Sequence, residues 1–256
     1  MKHMRSSRTK TIILATTTAM IISGCISRPK EQATPGELFI LGQQDLKSDR
    51  FEAARLAFKR LLREYPDSKH RRNALLNLAD SYFKEEEYIE AKVQYSEYVQ
   101  LYPVSPNTSR AYYFLGMSDF NRILSFDRDQ SIARDALKSF MALKKRFPKS
   151  KYGAKANEKI IETRKIVADS GLFIAKFYLK RGKRVSAIPR FKEIIKEYRD
   201  LPALRAEAIY FLGESFRLEE SYNKAGQMYR TLIDEHPTSP FSQDAYDRLL
   251  AMTNNR

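Results

Sequence analysis

Four side chains in this sequence carry ready nucleophilic or metal-binding chemistry: the thiol of Cys25 and the imidazoles of His3, His70 and His236. A single cysteine excludes an internal disulfide framework and a zinc site built on thiolates. His70 and His236 fall in unrelated loops after charged helix ends, where solvated rings are expected. No G-x-x-x-x-G-K-[ST], G-x-G-x-x-G or H-E-x-x-H occurs, and no Ser, His and Asp grouping suggests a triad. Carboxylates are scattered, and the run Glu85-Glu86-Glu87 has the look of a solvated turn. No catalytic residue, metal site or soluble cofactor is expected. The chemistry that remains is that of Cys25.

Its surroundings decide what that chemistry is. Lys2, Arg5, Arg8 and Lys10 precede an apolar run from Thr11 to Ile22. Twelve residues are too few for a bilayer-spanning helix, which needs about 20. A basic start and a short apolar run have the layout of an export signal. The run ends Ile22-Ser23-Gly24-Cys25, which resembles the lipobox of bacterial lipoproteins. That resemblance implies removal of residues 1–24, a diacylglycerol on the Cys25 thiol and an acyl chain on its new amine. Three chains would exceed what stable anchoring requires. Ile26 stands where an Asp would signal inner-membrane retention, so the resemblance implies delivery to the outer membrane, on its periplasmic face. Residues 25–36 then form a polar, proline-containing tether.

The elements that follow are helical. The chain is 43% hydrophobic and 30% charged, which suits a globular fold, and its nine Gly and ten Pro are few for an all-β protein. Ala54, Ala91, Ala136, Ala187 and Ala225 each lie four residues before an aromatic: Phe58, Tyr95, Phe140, Phe191 and Tyr229. Pro66, Pro103, Pro148 and Pro237 follow four of these aromatics by eight residues. A small residue precedes the alanine at Gly42, Ala79, Gly116, Ala175 and Gly213. This self-similarity resembles the tetratricopeptide repeat, a helix–turn–helix unit of about 34 residues. The small residue permits close helix crossing, the aromatic should fill the gap to the next pair, and proline ends the second helix.

The expected fold is all-α, a solenoid of five units at 36–66, 73–103, 109–148, 168–202 and 205–237. A capping helix should occupy about 239–252. The third unit carries extra residues at Asn121–Ser131, and Lys151–Val167 should add a helix running nearly straight into Leu172–Lys180. Repeats one to three would then form a half at 37–148, and repeats four and five a half at 149–256.

The lipobox, five units, insertion and extra helix together resemble the BamD (ComL) family, lipoproteins of the outer-membrane β-barrel assembly machine. Asp127-Arg128-Asp129, Pro148-Lys149-Ser150-Lys151-Tyr152 and Phe177-Tyr178-Leu179-Lys180-Arg181-Gly182 resemble its D-R-D, P-x-S-x-Y and Y-Y-x-x-R-G segments, with Phe177 in place of the first Tyr. Its A-x-x-N-R element is here Ala187-Ile188-Pro189-Arg190, with Pro189 replacing Asn. Arg199 replaces the usual proline after Tyr198, which should move the helix stop towards Pro202. The resemblance implies a non-enzymatic scaffold whose amino-terminal repeats receive unfolded outer-membrane protein precursors. It also implies that the carboxy-terminal repeats contact a POTRA domain of a BamA-like partner, with Arg190 in that contact, and that other assembly lipoproteins could join.

The repeat template places Phe39 and Gln43 on the concave face of unit one. Asn73, Leu76, Asp80 and Phe83 follow in unit two, then Arg110, Tyr113, Met117 and Phe120 in unit three. That mixture suits an extended peptide with an aromatic end. Cleavage before Cys25 would lower the net charge from +15 to +11. Basic clusters at Lys69–Arg72, Lys144–Arg146 and Lys180–Arg184 would suggest nucleic acid in a cytosolic protein. Export removes that partner and leaves anionic head groups or acidic proteins. An alternative reading is an envelope adaptor for peptidoglycan-linked or secretion machinery.

Overall fold

A computed structural model describes residues 32–254, so Cys25, the export signal and most of the tether lie outside the described residues. Eleven helices follow: α1 (Pro35–Lys47), α2 (Phe51–Glu64), α3 (Arg71–Lys84), α4 (Tyr88–Leu101), α5 (Thr108–Phe120) and α6 (Ser131–Arg146). Then come α7 (Lys151–Lys180), α8 (Arg184–Glu197), α9 (Pro202–Leu218), α10 (Tyr222–Glu235) and α11 (Ser242–Asn254). Each helix packs on the next, and the first helices of successive pairs (α1, α3, α5, α7 and α9) also touch one another. The second helices make no comparable mutual contact, so the first helices line the inner side of the solenoid.

The small residue and the aromatic turn out to belong to one contact. A Cβ on Gly42 would meet the Phe58 ring at 2.5 Å; on Gly116 or Gly213 it would meet Phe140 or Tyr229 at 2.6 Å. The aromatic therefore lies first against its own pair. It reaches the next pair as well in two units, where Tyr95 stacks on Phe114 and Phe191 on Phe211.

The turn inside each pair also repeats. Asp49, Glu86, Gly182 and Glu220 adopt positive φ seven residues after the small residue. The amide that follows each donates back across the turn: Arg50 to Asp45, Glu87 to Tyr82, Lys183 to Tyr178 and Ser221 to Phe216, each at 2.9 Å. This is the Schellman arrangement of a left-handed helix end. Unit three leaves the pattern here, and its insertion takes over.

Two expectations need correction. α8 ends at Glu197 and not near Pro202; Tyr198 caps it at φ −114°, ψ 50°, close to the φ −136°, ψ 55° of His236. The aromatic's backbone sets the stop, and Pro202 instead opens α9. The packing boundary also falls inside α7 and not at 148/149. Tyr152, Ala156 and Ile160 join the core of unit three, whereas Ala168, Leu172 and Ala175 join that of units four and five. The extra helix and the first helix of unit four are thus one 30-residue rod.

Candidate binding face

The inner face is built of rows, one residue per first helix at a fixed offset from the small residue. Three residues before it stand Phe39, Leu76, Tyr113 and Tyr210. Four residues after each proline stand His70, Asn107, Tyr152 and Phe241. The two rows close on each other. Phe39 stacks on His70 at 4.9 Å, Tyr113 lies 5.5 Å from Tyr152, and Tyr210 stacks on Phe241 at 5.1 Å. Serine sets the connecting turn: Ser68, Ser105 and Ser239 accept from the amides of His70, Asn107 and Phe241.

This rearranges the expected groove. Leu76 is 4% exposed and belongs to the core, so it offers nothing to a ligand. Phe39 and Tyr113 are half-buried in the clasp between units. Phe83 is held edge-on against Phe114 at 5.0 Å, and Phe120 packs on Phe140 under the Lys159 ammonium, 4.1 Å away. The histidines are not solvated rings either. His70 takes an aromatic's place in the clasp, and His236 takes the helix-ending place of Tyr65, Tyr102 and Phe147, with Arg205 3.0 Å from its Nε2. Their spacing from Pro66 and Pro237 was the missed signal.

The open row stands one residue after the small residue: Gln43, Asp80, Met117, Lys176 and Glu214. The row six residues before the next small residue faces it, with Asn73, Arg110 and Glu207. Asp80 accepts from the Tyr95 hydroxyl at 2.6 Å and from the Arg110 guanidinium at 2.8 Å. In units four and five the same site carries opposite charges, Lys176 to Glu207 at 2.7 Å. Each cation also lies over a ring, Arg110 on Phe114 at 5.0 Å and Lys176 on Phe211 at 4.7 Å. Phe114 and Phe211, absent from the sequence-based set, both stand two residues before a glycine.

The aromatic beneath decides which sign is allowed. Tyr95 and Tyr229 bring a hydroxyl into the pair, and each finds a carboxylate, Asp80 or Glu214. Phe58, Phe140 and Phe191 bring none, and the row holds Gln43, Met117 and Lys176 there. Burial, then the charge of Asp80, holds the Tyr95 hydroxyl well above the usual tyrosine range, so it remains a donor. Burial pushes Glu214 up, but hydrogen bonds from Arg217 and Tyr229 outweigh it and hold the carboxyl below its ordinary value.

A profile of outer membrane lipoproteins (YfiO) matches residues 31–218, and a tetratricopeptide-repeat profile matches 207–239. The chain belongs to the YfiO family of outer membrane lipoproteins. An "Outer membrane protein assembly factor BamD" from Neisseria gonorrhoeae is 28% identical, over 93% of this chain and 95% of that protein. Another of that name from Haemophilus influenzae is 28% identical over 85% and 84%. A repeat protein from Bacteroides fragilis shares the fold at 13% identity and a TM-score of 0.52, covering 86% of this chain and 100% of that one.

Within this YfiO-family chain Arg190 is half-buried. It lies 4.6 Å over the Tyr178 ring and donates to the Ser186 carbonyl at 2.6 Å. Pro189 sits inside α8 and leaves the Val185 carbonyl without its amide donor. Val185 is 86% exposed, so water can replace it. At the other end Tyr65 donates to the Ala33 carbonyl at 2.9 Å, and Thr34 and Glu37 cap α1 reciprocally, so the tether leaves from a fixed point. Among the described residues no helix is long and apolar enough to cross a membrane.

Proposed function

We propose that the chain is a non-enzymatic scaffold in outer membrane protein assembly, held at the periplasmic face of the outer membrane by lipid on Cys25. The likeness to BamD assembly factors over nearly the full length of both chains carries this reading. In this role the first-helix face of units one to three receives unfolded precursor. Gln43, Asp80 and Met117 of the open row, with Asn73 and Arg110 of the row facing it, supply polar and apolar contacts, and Phe83 and Phe120 supply ring edges. An extended strand would find paired donors and acceptors there with aromatic floors between them.

Units four and five serve a POTRA domain of a BamA-like protein, with Arg190 in the contact. Arg190 is already oriented by Tyr178 and Ser186, so little side-chain entropy is lost on binding. Replacing Arg190 by Glu should abolish co-purification of the barrel-forming partner from detergent-solubilised membranes, with helical circular dichroism retained. Undiminished co-purification would remove Arg190 from the contact. Recovery of secretion components without that partner would overturn the assembly role itself.

A further inference from the structure

The first helix of each internal unit normally buries one side against the preceding pair. One residue before the small residue, Leu78, Leu115 and Leu212 are 2%, 9% and 3% exposed. Two residues after it, Ser81, Ser118 and Ser215 are fully buried. Two residues before it, Phe114 and Phe211 stack on the preceding unit's aromatic. Unit four breaks all three rows. Ile174 is 40% exposed, Phe177 48% and Phe173 42%.

The cause is α7. Its first half occupies the place beside unit three, so its second half extends past α5 and α6 without a preceding pair. The insertion offers partial cover, with Phe126 meeting Phe173 edge-on at 5.3 Å, yet Phe126 is itself 49% exposed. Unit one has the same open side, because no described helix precedes α1; there the row that carries Phe177 holds the polar, exposed Gln44, and the row that carries Phe173 holds Ile40, 56% exposed. The open side of unit one thus pairs an aliphatic residue with a polar one, whereas that of unit four carries two aromatics. Adjacent exposed aromatics of this kind mark an interaction surface.

Charge specifies what covers it. Residues 176–199 hold nine Lys and Arg against two acids, a net +7 that equals the entire surplus of residues 149–256. Lys180, Arg181, Lys183 and Arg184 crowd the turn beside Phe177, and none of them forms an ion pair among the described residues. Arg181 lies 5.3 Å over the Phe177 ring, joining the basic cluster to the apolar stripe. We infer that the Phe126–Phe173–Phe177 surface docks an acidic protein segment bearing apolar side chains, which fills the place of the missing helix pair. Its apolar groups would cover Phe173 and Phe177 while its carboxylates met the turn cations. The inference does not rest on the role proposed for Arg190, which faces Tyr178 on the α8 side.

The test uses the full chain in detergent and a fluorescent peptide alternating Glu with Leu and Phe. A counterpart carries Lys for Glu, and vesicles rich in phosphatidylglycerol form a third arm. The acidic peptide should bind, weaken with added salt and leave the basic one unbound. Lys180→Glu with Lys183→Glu, and separately Phe173→Ser with Phe177→Ser, should each lower its affinity about tenfold or more. Lys69→Glu with Arg72→Glu, an equal charge reversal at exposed positions where unit one meets unit two, should leave that affinity unchanged, which separates this surface from the general basic excess of the chain. Equal affinity for the parent and both double variants of this surface would overturn the inference. So would a silent charge reversal at Lys180 and Lys183, or vesicle binding with the same variant sensitivity and no peptide binding, which would assign the surface to lipid.

Discussion

The joint between units two and three and the joint between units four and five are the same construction with opposite charges. In the first, Asp80 faces Arg110; in the second, Lys176 faces Glu207. The backbone offsets are identical and each cation covers an aromatic ring. They differ beneath the pair, where Tyr95 needs an acceptor and Phe191 does not. One hydroxyl therefore fixes the sign of the inner face in unit two, and its absence frees the sign in unit four. Packing and surface charge are separable wherever the buried aromatic is Phe, so the sign of the inner face can vary in unit four at little cost to the fold, whereas Tyr229 holds it acidic in unit five.

The largest expected effect tests whether the two regions are energetically one body. Their cores share only α7, which serves unit three with its first half and units four and five with its second. Val167→Pro removes the bond to the Thr163 carbonyl and places a ring against the preceding turn, at about 3 kcal/mol or more. Urea unfolding should then separate into two transitions, followed by circular dichroism and by a probe placed in each half. A single transition at the parent midpoint would mean that coupling bypasses the rod. The Phe126–Phe173 contact would be the place to look for that bypass.

A smaller effect sharpens the rule about the sign. Asp80→Ala leaves a buried hydroxyl and a partly buried guanidinium without their acceptor and should cost about 1–3 kcal/mol. In a Tyr95→Phe background the same change should cost less, with a coupling of about 1 kcal/mol in a double-mutant cycle. Lys176→Ala, which releases only a more exposed pair, should cost under about 1 kcal/mol. Equal losses at Asp80 and Lys176, with no coupling to Tyr95, would show that the hydroxyl does not select the acid.

Much of this is legible in the sequence, because the contact that defines a unit recurs there. Gly42 with Phe58 and Gly213 with Tyr229 announce a crossing at fixed spacing, and α7 followed from the surplus length between Pro148 and Ala187. What sequence did not yield depends on the neighbouring unit. Leu76 looks like a groove residue by template, yet it is buried in the core that joins units one to three. His70 passes for a solvated ring until its offset from Pro66 is compared with those of Tyr152 from Pro148 and Phe241 from Pro237. Pro202 looked like a stop, whereas the stop lies in the φ and ψ of Tyr198. The exposure of Phe173 and Phe177 is the converse case, since periodicity marks them as apolar and only the displaced partner shows that they stay open.

The smallest predicted effect compares the two regions at their turns. Glu86 and Gly182 hold equivalent left-handed positions at φ +63° and +70°. An L-residue is strained there by about 1–2 kcal/mol, which glycine escapes. Glycine also loses more backbone freedom on folding, by roughly 0.4–1 kcal/mol. The two terms oppose, and strain is the larger. Glu86→Gly should therefore stabilise the chain by about 0.5–1 kcal/mol, and Gly182→Ala should destabilise it by a similar amount; nothing lies within 4 Å of a Cβ placed on Gly182. Urea midpoints moving in opposite directions would show that the turns are equivalent in energy as well as in geometry. If Glu86→Gly instead destabilised the chain, contacts of the Glu86 side chain would have to outweigh the strain of its backbone, and the acidic turn of unit two would be doing something that the basic turn of unit four does not.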